Sequence, residues 1–282
     1  MMTTSFTQAD AGGPVKRLAL AREALGMAYA VAVYPLGFSR VPRPAAAEPA
    51  NAGPWSATPV VLVHGYLGNR SSWFPLERSL AVAGVGNVHA ASYDAMASDL
   101  PAMASQLVTT CRQAMAESGA DKVHVVGHSL GGLVLRYALH VLGLAEHVGT
   151  AVTVASPHRG APVARFGRGA VVTALRPSSR LLAQLDAACR PDGVRWVAYY
   201  SNTDVIVPPR SARLTHPALQ VENRLVPDQG HISILRSNVL LNSIPQLLLQ
   251  PRPATPQPDA TPAPLGMHPV HASPCAPNAM TG

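Results

Sequence analysis

Six short apolar runs recur along the middle of the chain, each edged by Gly, Pro, Asn, Asp or Ser: PVVLVHG at 59–65, GNVHAASYD at 86–94, KVHVVGHS at 122–129, GTAVTVASP at 149–157, VRWVAYYSN at 194–202 and LQVENRLVP at 219–227. Runs of this length and punctuation read as strands. The segments between them carry a helical period. Over 99–118, Leu100, Met103, Leu107, Cys111 and Ala114 or Met115 fall on one face, and Gly119 is a natural stop. A second helix is predicted after Ser129, bearing Leu133, Leu135, Tyr137 and Leu139, and a last one running from His231 through Ile234 and Leu235 to Leu241. Strands that alternate with helices predict an α/β class: a mostly parallel central sheet of about six strands flanked by helices. The stretch 158–190 has no strand pattern. Its mixture of Gly, Pro and short apolar runs predicts loops and helices over one end of the sheet, where a substrate cap would sit.

The two ends depart from this pattern and divide the chain into 1–50, 51–250 and 251–282. Near the start, ALGMAYAVAVYPLGF (24–38) is uncharged and follows Lys16, Arg17 and Arg22, as in a signal segment, with small residues at 45–47 as the cleavage candidate. Arg40 and Arg43 interrupt that arrangement. The competing reading is an apolar helix packed on the domain or lying at a membrane surface. Together these favour secretion or membrane association over a cytoplasmic location. Beyond Gln250 the chain is so rich in Pro and Ala that neither helix nor sheet propagates, and it reads as a tail.

Composition supports a packed domain: 48% of the 282 residues are hydrophobic and 13% charged, enough to bury a large core. The formal charge of +7 comes almost wholly from arginines scattered along the chain, since Lys16 and Lys122 are the only lysines. No compact basic block points to nucleic acid. Three dispersed cysteines, Cys111, Cys189 and Cys275, suit neither a metal cluster nor a disulfide scaffold. No cofactor or metal is expected.

The chemistry concentrates at Gly127-His128-Ser129-Leu130-Gly131. This G-x-S-x-G pentapeptide follows a strand and leads into a helix, the context of a nucleophile elbow. A serine at so sharp a turn sits in strained geometry where side chains two residues away on either side would collide, and the glycines remove them. The turn also aims the hydroxyl at a helix N-terminus, whose free N–H groups favour a developing oxyanion, so Leu130 is a predicted backbone donor. A serine hydroxyl needs a base held by a carboxylate, and behind such an elbow the chain order is Ser, acid, His. His231, in the turn before the final helical pattern, is the predicted base. Asp204, at the end of VRWVAYYSNTD, is the predicted acid, with Asp228 and Asp192 as rivals. The second oxyanion donor is predicted in the loop after the first strand, at the backbone N–H of Tyr66, with Gly65 letting the chain turn inward and His64 holding the loop by hydrogen bonds.

VVLVHG with its loop, VVGHSLGG around Ser129, SNTDVIVPP around Asp204 and DQGHISILRS around His231 resemble the bacterial lipases and esterases of the α/β-hydrolase superfamily, especially the compact triacylglycerol lipases. The resemblance covers roughly 59–249. ASPHRGA at 155–161 is similar to the T-P-H-x-G-T stretch of many such lipases, with Ser156 and Ala161 in place of the threonines. It implies hydrolysis of acyl esters, lipid-like ones above all, through a Ser129–His231–Asp204 triad and an acyl-enzyme. The structural calcium of larger relatives is not expected, because few acids stand near His231 beyond Asp204, Glu222 and Asp228. Two other functions are compatible with the fold: transfer of the acyl group to an acceptor by the same triad, and a non-catalytic binding role.

Overall fold

The computed structural model describes residues 14–38, 57–95 and 98–250. The small-residue stretch at 45–47, Cys275 and the Pro/Ala-rich tail lie outside the described residues.

The strand-like runs form six parallel strands: β1 (Val60–Val63), β2 (Val88–Ala90), β3 (Val123–His128), β4 (Val148–Val154), β5 (Arg195–Tyr200) and β6 (Val221–Leu225). Their order across the sheet is β2-β1-β3-β4-β5-β6. The helices are α1 (Pro14–Val33), α2 (Phe74–Val82), α3 (Leu100–Ser118), α4 (Leu130–His140), α5 (Ala170–Ala174), α6 (Arg180–Ala188), α7 (Pro209–Ala212) and α8 (Asn238–Leu249).

Successive strand side chains point to opposite faces, so the inner strands β1, β3, β4 and β5 feed two cores. Val61 and Val63 of β1, with Trp196 and Ala198 of β5, pack on the side of α3 and α4. Val60 and Leu62, with Val197 and Tyr199, pack on the side of α2 and α8. Strands buried on both faces have no polar alternation, which explains their continuous apolar runs.

Helix α3 begins at Asp99, whose carboxylate accepts the Ala102 N–H at 2.9 Å, and ends at Gly119 in the left-handed conformation (φ 67°). Both boundaries match the sequence pattern. The end of the chain differs from expectation. A short 3-10 helix, Ser233–Arg236, follows His231 and stops at Ser237, whose extended backbone (φ −67°, ψ 130°) breaks the helical path before α8 continues to Leu249. The predicted single helix to Leu241 is therefore two elements, the second eight residues longer. Over 158–190 the chain forms loops, a 3-10 turn and the short helices α5 and α6 at the carboxyl end of the sheet.

Candidate active site

The strand order reverses between β1 and β3, and in open parallel sheets the crevice outside the carboxyl ends at such a reversal is where ligands sit. Ser129 stands there. It joins β3 to α4 with φ 53° and ψ −122°, a conformation costly for a residue with a Cβ. Its N–H donates to the Val154 carbonyl at 2.9 Å, and its carbonyl accepts the Gly132 N–H at 3.1 Å. A Cβ on Gly127 would lie 2.7 Å from the Gly131 carbonyl group, and one on Gly131 would run into the Val63 carbonyl oxygen of β1. Both glycines of the pentapeptide are thus required by close backbone approach.

The loops after β5 and β6 bring two more side chains to this point. His231 Nε2 lies 2.9 Å from Ser129 Oγ, and His231 Nδ1 lies 2.8 Å from Asp204 Oδ2. All three are buried, with relative exposures of 8%, 7% and 4% for Ser129, His231 and Asp204. A carboxylate only accepts, so Nδ1 carries the proton and Nε2 presents a lone pair to the serine hydroxyl. Asp204 is itself fixed, since Oδ1 accepts the N–H groups of Ile206 and Val207, each at 2.9 Å. The rivals are occupied elsewhere: Asp192 accepts from Trp196 Nε1 at 2.9 Å, and Asp228 pairs with Asn202 in a turn.

Gly65 brings the first loop against the nucleophile, for a Cβ there would lie 3.0 Å from Ser129 Cβ. Tyr66 follows it on the cavity wall, and Leu130 opens α4, where N–H groups have no intrahelical acceptor. His64 is buried at the base of this loop; its Nδ1 contacts the Gly65 carbonyl oxygen at 2.9 Å, its ring stacks on Tyr93 and its carbonyl accepts from the Tyr93 hydroxyl. Burial lowers its pKa.

Three polar residues of the site carried no sequence signal. His128, the variable position of the pentapeptide, donates its Nε2–H to the His231 carbonyl at 3.0 Å. Burial, followed by the neighbouring His231, lowers its pKa to about 3, so it stays neutral. Glu23 of α1 and Asn69 of the β1 loop are the others, and their partners lie 209 and 35 residues away, at distances a linear reading does not connect.

Ser129 and His231 open into a cavity of about 670 Å³ with a mainly apolar lining that includes Tyr29, Tyr34, Val163, Leu175, Ile206 and Leu235. Its size suits a small organic ligand. Among the described residues no group of three or more His, Cys, Asp or Glu is gathered as for a metal ion.

The sequence profile of the palmitoyl protein thioesterase family matches residues 59–190. The chain is 34% identical over 157 residues to the triacylglycerol lipase of Burkholderia plantarii, a match covering 51% of this chain and 42% of that one. It is also 34% identical over 116 residues to that of Pseudarthrobacter phenanthrenivorans, covering 38% and 35%. This chain therefore matches less than half the length of these curated relatives. Among solved structures, the mature form of the Bacillus licheniformis lipase BlEst2 superposes with a TM-score of 0.60 at 19% identity, over 72% of this chain and 96% of that one. The fold is that of the α/β-hydrolases. The monoacylglycerol lipase of Paleococcus ferrophilus superposes with a TM-score of 0.51 at 17% identity, over 68% of this chain and 95% of that one. In sequence the chain is similar to triacylglycerol lipases, and in fold to lipases.

Proposed function

We propose that this α/β-hydrolase cleaves carboxylic esters of acyl groups, with Ser129 as nucleophile, His231 as base and then acid, and Asp204 orienting the imidazole. The observation that carries the reading is the continuous chain of hydrogen-bonding contacts from Ser129 Oγ to His231 Nε2 and from His231 Nδ1 to Asp204, buried at the head of an apolar cavity. Ser129 Oγ attacks the ester carbonyl as its proton passes to His231 Nε2. The N–H groups of Tyr66 and Leu130 hold the negative oxygen of the tetrahedral intermediate. Collapse breaks the carbon–oxygen bond, and the imidazolium returns its proton to the departing alcohol. Water then attacks the acyl-enzyme by the same route, releasing the acid and freeing Ser129.

A lipid-like acyl chain suits the cavity. Met27, Val31, Leu67 and Val163 line it and are also solvent-exposed, giving its mouth an apolar rim that favours contact with an aggregated lipid or a membrane surface. Among the described residues no helix is long and apolar enough to cross a membrane. The relatives named above, triacylglycerol lipases and the palmitoyl protein thioesterase family, have an acyl group in both descriptions, which supports an acyl substrate here.

The test is turnover of p-nitrophenyl acyl esters by the parent and by Ser129→Ala. The variant is expected to lose about 10³-fold or more in kcat while keeping the parent's melting temperature, since only the nucleophile is gone. Turnover within tenfold of the parent would refute the assignment.

A further inference from the structure

Helix α1 takes no part in the reaction above, yet it grips the loop that carries the base. The Glu23 carboxylate accepts the Ile232 N–H through both oxygens, at 2.9 and 3.1 Å, and the Ser233 N–H at 2.9 Å. These are the two peptide groups that follow His231. They open the 3-10 helix Ser233–Arg236, where N–H groups lack an intrahelical acceptor, and a carboxylate satisfies them with charge-assisted bonds.

The sequence makes room for this approach. A Cβ on Gly230 would collide with the Glu23 side chain, and one on Gly26 would lie 3.0 Å from the Ser233 backbone. Arg22 donates to the Asp228 carbonyl at 3.0 Å, and the Arg236 guanidinium lies 4.1 Å over the Tyr29 ring. At its other end the segment reaches the loop after β1. The carbonyl of Tyr34, in the turn Tyr34–Phe38, accepts from Asn69 Nδ2 at 2.9 Å, and a Cβ on Gly37 would run into the Asn69 side chain. Between these two attachments Tyr29, Ala30, Val31 and Tyr34 form part of the cavity wall.

We propose that α1 and the turn after it are a strap across the active site, fixing His231 in register with Ser129 through Glu23, a positioning residue, while walling the acyl cavity. The proposal rests on the reading of His231 as the base. Its consequence is specific: a base displaced by about 1 Å loses on the order of 10²-fold in rate with little change in how substrate binds.

The experiment compares the full-length parent with Glu23→Ala, Glu23→Gln and Ser129→Ala on p-nitrophenyl butyrate. For the parent and the Glu23 variants each kcat is divided by the concentration of Ser129 titrated to completion with a fluorophosphonate, so unfolded protein does not count; Ser129→Ala is referred to total protein. Glu23→Ala is expected to lose at least about tenfold in kcat per titrated site with KM changed less than about twofold, and Glu23→Gln, which keeps one acceptor, to lose less. A kcat per titrated site within about twofold of the parent in both Glu23 variants overturns the strap, whatever their melting temperatures. If Ser129→Ala stays active, the reading of the site itself falls; if it is dead while the Glu23 variants are normal, only the strap falls.

Discussion

At Asp204 the two carboxylate oxygens do different work. Oδ1 is committed to the N–H groups of Ile206 and Val207, and Oδ2 faces His231 Nδ1. An Asp204→Asn side chain can keep its oxygen on the two peptide groups, which turns its NH2 toward Nδ1 and forces the imidazole into the tautomer that cannot accept the serine proton. The expected loss in kcat is about 10⁴-fold, as in other Ser-His-Asp sites, without loss of fold. Asp228→Asn and Asp192→Asn should stay within about threefold of the parent, because neither contacts the base. A large loss in either, with Asp204→Asn active, would reassign the acid. That Ser129, His231 and Asp204 come together was legible in the sequence, because a strained turn demands glycines at fixed offsets and chain order narrows the partners. His128 and Glu23 were not, because hydrogen bonds to backbone groups leave no mark on the residues that receive them.

Helix α3 shows how far the elements follow from local rules. Asp99 caps its start, Gly119 closes it in the left-handed region, and Met103, Leu107 and Cys111 are fully buried on its inner face. Removing the cap with Asp99→Ala is expected to cost about 1 kcal/mol, since one N–H loses its acceptor at an exposed helix end. Leu107→Ala should cost about 2–5 kcal/mol, because it leaves a cavity against the sheet. Urea denaturation of the two variants checks the ranking, and equal costs would mean that the helix is held by its ends and not by its face. The segment after His231 shows where local rules failed. Ile234, Leu235, Leu240 and Leu241 keep a spacing that reads as one helix, but Ser237 interrupts it, and its hydroxyl caps the new start by accepting the Val239 N–H at 3.3 Å. Helix α2 went unpredicted for the opposite reason. Only Leu76 and Leu80 of its nine residues are buried, too short a stripe to stand out from the loop around it.

For the molecule as a whole, the sheet and its two cores enclose several histidines, and these set its response to acid. Burial lowers the pKa of His64, His124, His128, His140 and His158, with His124 at about 4 and His128 at about 3. In the unfolded chain each would take up a proton near pH 6.5. Between that value and the lowered one the unfolded state binds more protons than the folded state, so stability falls as pH falls. His124 and His128 alone contribute about 1.4 kcal/mol each per pH unit, or about 3 kcal/mol per unit on the acid side of pH 6, and the other three add to this. On the sheet edge the hydrogen bond from Arg224 lowers the Glu222 pKa, so that ion pair stays charged above pH 5 and adds nothing to the slope there. Urea unfolding at pH 7.5, 6.5, 5.5 and 5.0 should therefore give a steep, monotonic loss of stability. In His128→Asn the slope should flatten by about 1.4 kcal/mol per pH unit, since one buried neutral imidazole has been removed. A stability that stays level from pH 7 to 5, or a slope unchanged in that variant, would show that these rings are hydrated and free to protonate in the folded chain. The same values bear on the site: the His128 ring donates to the His231 carbonyl and, with its pKa lowered to about 3, stays neutral in the folded chain, so acid reaches this ring chiefly through unfolding, and its contact with His231 should persist for as long as the fold does.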